Sequence, residues 1–594
     1  MQVSRKLLAA VSAAQFLLLT AGAESVDESV DYIVIGGGTS GLLLANRLSR
    51  EKDITVTVVD PGSDERHNPL VYTPNDWFQV TSSYIAERHI TVKQTNANNR
   101  KLTAISGKGI GGTSLINGMT YIRGDAPQFD SWERLGNKGW NWNTMLKYYK
   151  KLEGFIPPQE WQVEAGATFN TEFHGTGGDI HTCFNPELLN GSFYDAAIDG
   201  WASLGYAKIK DANAGFVNGF DVWPQTIDAK TNKRWDAASA FYWPIYQKRK
   251  NLKLINGTVT RILWDDKRTS HDKARAVGIQ YTTASDDVVH IAARKEIILA
   301  AGALNTPLIL ENSGVGQAAL LESRGIPVIV DLPGVGENLV DNPLIAYVYQ
   351  SDMNLDGYTP YATFITAHEL FGDQTASKAS STKAQLSQWA QTVVERSGGA
   401  LNVSAVEHLM AIQHELIFKK NVTIAEIVQL AAPGALAASA WDLLPFSRGS
   451  IHVSASNGID NTDFDPQFLA VDFDIEKQLA MGKLVRSFYA TDKIRPYVAG
   501  YLDPSADTLP ENATDDEWRK FVPNAVNPNN HALGTASMMA RELGGVVDSK
   551  LRVYGISNVR VVDASVVPTQ ISGHLTATIY VIAERASEMI LRKF

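Results

Sequence analysis

Cysteine is nearly absent from the sequence, which has one, Cys183, among 594 residues. A single cysteine excludes an intrachain disulfide and a structural zinc site built on cysteine ligands. The histidines and acids form no clustered ligand set either, so we expect no bound metal. A chain of this length can bury a large hydrophobic core, so its stability does not require a covalent cross-link.

The sequence also lacks a surplus of basic residues. Lysine and arginine number 54 against 64 aspartates and glutamates, which gives a formal net charge of −10. An acidic chain without basic runs argues against a nucleic acid partner. Internal repeats and long low-complexity segments are missing as well. The length predicts roughly two to four domains.

Long hydrophobic runs are missing except near the N-terminus. There a largely apolar stretch, residues 7–20, follows Arg5 and Lys6 and precedes an Ala-Gly-Ala sequence. This pattern predicts a signal peptide over residues 1–23. The run is too short to span a bilayer comfortably, so a membrane anchor is the weaker alternative, and we expect no membrane-embedded part. Removing two cations and no acid changes the formal net charge from −10 to −12.

Glycosylation sequons agree with passage through the secretory route. Asn-x-Ser/Thr occurs five times, and Asn256, which we expect in a strand, is the one expected to stay unmodified. The mature protein is therefore expected to be secreted or held in a vacuole, vesicle or cell wall. The sequons are Asn190, Asn256, Asn402, Asn421 and Asn512.

A glycine-rich loop early in the chain predicts a dinucleotide site. An apolar run over residues 32–35 leads into G-x-G-x-x-G over residues 36–41 and then into a helical pattern. Glycines let the backbone approach a pyrophosphate, and the helix N-terminus offers free N–H groups. A second strand over residues 54–59 ends in an acid suited to a ribose. The predicted contacts are Gly36, Gly38, Thr39, Ser40, Gly41 and Asp60.

Further segments identify the kind of dinucleotide by resemblance. Residues 107–118 form a second glycine-rich loop, and residues 302–316 form a third segment. Near the C-terminus stand Asn-His-Ala-Leu-Gly-Thr over 530–535 and Ser-Gly-His over 572–574. Together they resemble, in order and position, the signatures of the glucose–methanol–choline (GMC) family of FAD oxidoreductases. The resemblance covers nearly the whole mature chain and implies FAD as the cofactor.

The same resemblance implies further flavin contacts. The second loop is expected to hold the isoalloxazine and the pyrophosphate, one valine to lie near the adenine, and an aspartate to reach the ribityl or pyrophosphate region. These residues are Gly112, Thr113, Asn117, Gly118, Met119, Thr120, Val259, Asp563 and Ala564.

Two of the twelve histidines match the catalytic pair of the family. Alcohol oxidation needs a base for the hydroxyl proton and an acceptor for the hydride, which flavin N5 supplies. A neutral histidine suits the base. We expect His531 to be the base and His574 to hold the alcohol oxygen by a hydrogen bond.

The substrate pocket departs from that of the glucose oxidases. Trp441 matches a pocket tryptophan, and Asn529 is expected beside the substrate. Asn527 stands where those enzymes carry a sugar-binding arginine, and Ala438 stands where they carry a pocket aromatic. Asp60 replaces the more common glutamate. It reaches less far toward the ribose but carries the same charge. Asn527, which lacks the charge of the arginine, and Ala438, which is expected to open apolar space in the pocket, favour a substrate with fewer hydroxyls than glucose.

The expected architecture is α/β combined with α+β, with a discontinuous Rossmann-like FAD-binding domain and a substrate domain built on an antiparallel sheet. We expect the FAD-binding core, with a lid and dimer-contact insert over 61–100, in residues 24–325. The substrate region follows in 326–540, and 541–594 return to the FAD domain. Helices are predicted over 381–395, 424–432 and 576–591, and a strand over 449–454.

The resemblance places the chain in the glucose-oxidase-like fungal subgroup, beside secondary-metabolite enzymes such as patulin synthase. The expected reaction is oxidation of a small-molecule alcohol or lactol, with O2, a quinone or another electron acceptor. A sugar oxidase and a non-redox flavin-bearing cyclase like versicolorin B synthase remain alternatives. Oxidase against dehydrogenase, and monomer against homodimer, stay open.

Overall fold

The fold is given by a computed structural model that describes residues 29–189, 191–266, 273–353, 355, 357–454 and 462–591. The predicted signal peptide and the sequon at Asn190 lie outside the described residues. Within these ranges, no helix is both long and apolar enough to cross a membrane.

Strands run through most of the described chain. In order they are β1 Ser29–Ile35, β2 Val56–Asp60, β3 Ala86–Ile90, β4 Thr103–Gly107, β5 Glu153–Phe155, β6 Ile180–Thr182, β7 Gly219–Val222, β8 Ile227–Asp228, β9 Lys233–Arg234, β10 Leu252–Asn256, β11 Thr258–Trp264, β12 Ala276–Thr282, β13 Val288–Leu299, β14 Val315–Gly316, β15 Val330–Asp331, β16 Pro343–Gln350, β17 Tyr361–Thr366, β18 Thr423–Ala432, β19 Ala435–Asp442, β20 Ser450–Val453, β21 Thr462–Asp465, β22 Gly500–Asp503, β23 Asn527–Pro528 and β24 Val559–Val561.

Helices alternate with these strands. They are Thr39–Leu48, Pro69–Tyr72, Trp77–Val80, Ala126–Ser131, Trp142–Leu152, Glu160–Glu164, Ser192–Ser203, Ala237–Phe241, Thr306–Asn312, Ala318–Ser323, Ala367–Phe371, Thr375–Arg396, Val403–Phe418, Asp472–Ala490, Asp515–Ala525 and Leu575–Leu591. The predicted helices over 381–395 and 576–591 and the predicted strand over 449–454 are confirmed.

The first large sheet is parallel at its centre. Its strand order is β10-β2-β1-β13, with β24 also paired to β13, and all these pairs are parallel. β12 and β11 continue it in antiparallel fashion. The apolar run of β1 is buried from Val30 to Ile35, as expected for a strand covered on both faces. The helices Thr39–Leu48 and Leu575–Leu591 lie together beside this sheet.

The second large sheet is antiparallel, in the order β22-β16-β19-β18-β17-β7, with β23 paired to β16. Burial alternates from residue to residue along β16 and along most of β19. Since successive side chains point to opposite faces, one face of these strands is buried and the other is partly open. The helix Asp472–Ala490 contacts both strands. Two sheets of these types confirm the expected fold class. The domain bounds stay a prediction, and β7 shows that the antiparallel sheet also takes a strand from residues 24–325.

The helix predicted over 424–432 is wrong. These residues form β18, which pairs with β19 across the turn at Pro433 and Gly434. Gly434 has a φ of +83°, which a tight turn requires. The run is buried from Thr423 to Gln429, so its apolar residues follow neither a helical nor a strand period. Its β-branched residues and the following Pro-Gly turn favour a hairpin.

Candidate active site

The first glycine loop has the shape that a pyrophosphate requires. Gly36 has a φ of +105°, and a Cβ there would lie 2.4 Å from the carbonyl oxygen of Ala300. A Cβ at Gly41 would lie 1.9 Å from the carbonyl oxygen of Gly36. The helix Thr39–Leu48 begins without a side-chain cap, which leaves its first N–H groups for a ligand. The loop therefore fits the phosphates of a dinucleotide.

Asp60 lies directly against this loop. One carboxylate oxygen accepts a hydrogen bond from the Gly37 N–H at 2.6 Å, and the other accepts one from the Gly62 N–H at 2.7 Å. Burial raises the pKa of Asp60, although these two bonds oppose that effect. The Gly257 N–H donates to the Asp60 carbonyl oxygen at 3.1 Å. This bond holds the start of β11, which includes Val259, beside the end of β2.

The second glycine loop meets the first. The Gly111 N–H donates to the Gly37 carbonyl at 2.9 Å, and a Cβ at Gly112 would lie 2.7 Å from the Gly38 Cα. Both loops therefore border one continuous site. Gly112, Met119 and Thr120 are buried, Asn117 and Gly118 are half-buried, and Thr113 is exposed.

Asn117 links the second loop to the C-terminal helix. Its amide nitrogen donates to the Thr576 hydroxyl at 3.1 Å, and its amide oxygen accepts from the Met119 N–H at 3.1 Å. Thr576 is the second residue of the helix Leu575–Leu591, which begins directly after His574. The flavin loop and the histidine loop are thus joined by one side chain.

The carboxylate of Asp563 is occupied by protein donors. One oxygen accepts from the Gly302 N–H at 2.9 Å and the Thr306 hydroxyl at 2.6 Å. The other accepts from the N–H and the hydroxyl of Ser565. Asp563 therefore joins residues 302–306 to the turn at Ala564. Because its carboxylate is engaged in this way, we expect its main-chain groups to contact a ligand.

His531 and His574 lie side by side, with ring centroids 5.4 Å apart and planes at 79°. Burial, and then the neighbouring His574, lower the pKa of His531 to about 3. Burial is the larger of these two causes, and the residue as a whole is half-buried. His531 is therefore neutral at ordinary pH, which is the state that a proton acceptor needs.

Hydrogen bonds select the tautomer of His531. Its Nδ1 lies 3.2 Å from the amide oxygen of Asn342. That amide is fixed because its nitrogen donates to the Asp442 carbonyl at 2.7 Å. Nδ1 is thus assigned as the protonated nitrogen, and Nε2 keeps the lone pair that can accept a proton. The amide nitrogen of Asn529 also lies 3.1 Å from Nδ1. Exchanging the nitrogen and oxygen of that amide by a 180° rotation makes its oxygen a second acceptor for the Nδ1 proton.

His574 is held by a buried acid on the antiparallel sheet. Its Nε2 lies 3.0 Å from Oε1 of Glu426, which is fully buried on β18. Trp441 is the cross-strand neighbour of Glu426 on β19, and its ring lies 6.1 Å from that of His574 at 85°. The structure therefore brings His531, His574 and Trp441 together, and Glu426 completes the cluster.

The structure places two of the residues discussed for the substrate pocket, Ala438 and Asn527, differently from what the sequence predicted. Ala438 is three residues from Trp441, so the two side chains lie on opposite faces of β19. Ala438 faces the buried side beside Tyr347, and the expectation that it widens the pocket is wrong. Asn527 is exposed, and its amide donates to the Ala525 carbonyl at 2.9 Å.

Sequence reasoning missed the residues that position the two histidines. Glu426 and Asn342 contact the rings, and Asp341 accepts a bond from the His531 N–H at 2.8 Å. Burial raises the pKa of Asp341 to about 7. A polar residue within a buried strand, as Glu426 is on β18, was the available signal, because such groups are costly unless they have a partner.

Comparison with known proteins agrees with this geometry. Two family models described as GMC oxidoreductase match residues 30–344 and 445–583. The chain is 43% identical over 564 residues to the glucose oxidase-like protein fsoC of Humicola fuscoatra, covering 95% of both chains. It is 35% identical to a glucose oxidase of Aspergillus carbonarius, covering 97% of this chain and 94% of that protein.

Solved structures show the same architecture. An FAD-dependent oxidoreductase from Chaetomium thermophilum superposes with a TM-score of 0.85 at 28% identity, covering 95% of this chain and 99% of that one. A fungal aryl-alcohol oxidase, at 22% identity and a TM-score of 0.81, shares the fold over 95% of this chain and 99% of that one. The expected cofactor and family are thereby confirmed. The chain belongs to the GMC oxidoreductase family and is an FAD-dependent oxidoreductase that acts on CH–OH groups.

Proposed function

We propose that this enzyme oxidises an alcohol or lactol on a small, largely apolar molecule. The observation that carries the proposal is the neutral His531 beside His574; the Nε2 lone pair of His531 is bonded by no donor in the described part of the chain. His531 accepts the hydroxyl proton at Nε2, and His574 holds the substrate oxygen through Nδ1, because its Nε2 is bonded to Glu426. The bound flavin supplies the acceptor for the hydride.

The substrate preference follows from the open face of the antiparallel sheet. Side chains two residues apart on a strand share a face, so the residues that alternate with Trp441 line the same side as Glu426. This side is partly open on β16 and β19. Along these two strands it offers two polar groups, the Ser439 hydroxyl and the Gln350 amide at the exposed end of β16, among otherwise apolar side chains: Leu344, Ala346, Val348, Ala435, Ala437 and Trp441.

Such a surface lacks the charged donors that bind several sugar hydroxyls. Glu426, the charged residue beside Trp441, is already bonded to His574. A sugar oxidase is nevertheless the second candidate, because a glucose oxidase is among the similar proteins. We place the enzyme in secondary metabolism because the sheet face that we assign to the substrate is mostly apolar, which suits a less polar molecule than a sugar.

Surface features support the proposed secretory route. The sequon residues Asn256, Asn402, Asn421 and Asn512 are all exposed. Asn256 is the last residue of β10, and its amide donates to the Gly62 carbonyl at 3.0 Å. Because that amide nitrogen is engaged at the strand end, we expect glycans at the other three and none at Asn256.

A panel of alcohols tests the substrate proposal. We expect kcat/KM for glucose, measured by anaerobic flavin reduction, to be at least about 10²-fold below that of the best benzylic, allylic or lactol alcohol, which corresponds to roughly 2.7 kcal/mol. Repeating the assay with O2 or a quinone identifies the acceptor. Glucose as the best substrate would restore the sugar oxidase, and a flavin that no alcohol reduces would favour the cyclase.

A further inference from the structure

A buried arginine outside the histidine cluster lies behind the second glycine loop. Arg234 on β9 is 1% exposed and donates to four oxygens. Its Nη1 contacts the Asn117 carbonyl at 2.7 Å, the Asn117 amide oxygen at 2.8 Å and the Ser114 carbonyl at 3.2 Å. Its Nε donates to the Val71 carbonyl at 2.8 Å. One side chain therefore joins residues 69–72 to the loop that borders the flavin.

The guanidinium remains charged in this position. Burial lowers the pKa of Arg234 to about 10, against the opposing charge of Asp236 and nearby tyrosines. At neutral pH the group is therefore a cation. Among the described residues, its Nη2 has no hydrogen-bond acceptor. A buried donor without a protein acceptor is typical of a site that a bound molecule completes.

The bonds to Arg234 also orient a donor of the loop. In a trans peptide the carbonyl and the following N–H point in opposite directions. Because the Asn117 carbonyl points at the guanidinium, the Gly118 N–H points away from it. No hydrogen bond of the described chain uses this N–H, and Gly118 is half-buried next to Asn117, whose amide bonds Thr576 near His574. The arginine thus holds a free donor toward the site.

We infer that Arg234 is a positioning residue for the flavin, which fixes the donors of the loop 112–120 and supplies a buried positive charge behind them. Two effects follow. Loss of the planar guanidinium, which bonds the loop and residues 69–72 at the same time, loosens the loop and weakens retention of FAD. Loss of the charge disfavours the reduced flavin, which is the more negatively charged form, and so lowers the midpoint potential.

Arg448 offers a matched control. It is 5% exposed, and burial lowers its pKa to about 10 as well. Its guanidinium donates to the carbonyls of Pro445 and Ser447 and to the amide oxygen of Gln413. It therefore has the same burial and the same kind of partners, but none of them belongs to a flavin loop.

The experiment compares Arg234→Met, Arg234→Lys and Arg448→Met as holoenzymes. FAD release is followed by flavin fluorescence, and the midpoint potential by equilibration with a redox dye. Arg234→Met should release FAD about 10- to 100-fold faster and have a lower potential. Arg234→Lys should nearly restore the potential, yet release FAD about tenfold faster, because an ammonium lacks the fork. Arg448→Met should lose thermal stability and change neither flavin property.

Wild-type retention and potential in Arg234→Met would overturn the inference, as would equal shifts in Arg448→Met. If Arg234→Met does not fold, Arg234→Lys decides the matter. FAD release within twofold of the wild type would then show that the guanidinium fork has no role in holding the flavin.

Discussion

The bond between Glu426 and His574 gives the sharpest test of the histidine pair. The substitution Glu426→Gln keeps the size of the side chain and removes its charge. It converts a charge-assisted hydrogen bond of 3.0 Å into a neutral one. Glu426 is fully buried, so the bond is not weakened by solvent. His574 then loses the acceptor that fixes its ring and favours a proton on Nε2.

The magnitude follows from the strength of such a bond. A hydrogen bond to a charged group contributes about 1.5–3 kcal/mol. If the bond acts fully in the transition state, flavin reduction slows by about 10- to 100-fold. Burial raises the pKa of Glu426, because the charged form is costly there. Removing the charge relieves that cost, so we expect no large loss of thermal stability.

Stopped-flow flavin reduction by the best alcohol of the panel measures the effect, with FAD content and melting temperature recorded alongside. Glu311→Gln is the control, because Glu311 is equally buried and contacts His452 at 2.6 Å, away from the active-site cluster. The control should lose stability and keep its reduction rate. A Glu426→Gln enzyme within twofold of the wild type, or an equally slow control, would refute the reasoning.

Two further predictions concern histidines. His531→Ala should retain FAD and its fold but slow flavin reduction by about 10²–10⁴-fold, with a smaller loss for His574→Ala; a change of only a few-fold at position 531 would remove it from the mechanism. Burial alone would lower the pKa of His452, but Glu311 and Glu337 outweigh it and raise that pKa to about 10. The resulting stability, on the order of a few kcal/mol, is complete below pH about 6.5 and is lost as pH rises through about 10. Melting temperatures from pH 6 to 10 should therefore fall more steeply for the wild type than for His452→Gln, and parallel curves would contradict this.

The cofactor loops could be predicted because their signals are local. The strand, the glycine spacing and the helix of residues 32–48 are contiguous, and only glycine fits where Gly36 and Gly41 meet neighbouring backbone. The two histidines were found by their positions within a family pattern. Their distance of 5.4 Å rests on contacts between distant segments, which no local pattern contains.

The antiparallel sheet was harder to predict, and the substrate pocket with it. β18 is buried on both faces along most of its length, which removes the period that distinguishes strand from helix. Without that strand, the partnership of Glu426 with a histidine 148 residues away could not be inferred. Recognition of β19 as a strand would have placed Ala438 and Trp441 on opposite faces of the sheet, because side chains alternate between the two faces along a strand.

The parallel sheet also determines when the molecule can be completed during synthesis. β24 adds to β13 near the end of the chain, and Arg47 bonds Glu584 at 2.6 Å across 537 residues. Contacts of such sequence separation form late, because the intervening chain must first be made and brought together. The helix Thr39–Leu48, which follows the first glycine loop, is translated early but packs against the helix Leu575–Leu591 only after that distant segment has been made. Because Asn117 of the second glycine loop also bonds Thr576 in this helix, the cofactor site gains its full support late in folding, and we expect a chain truncated before Leu575 to hold FAD less tightly.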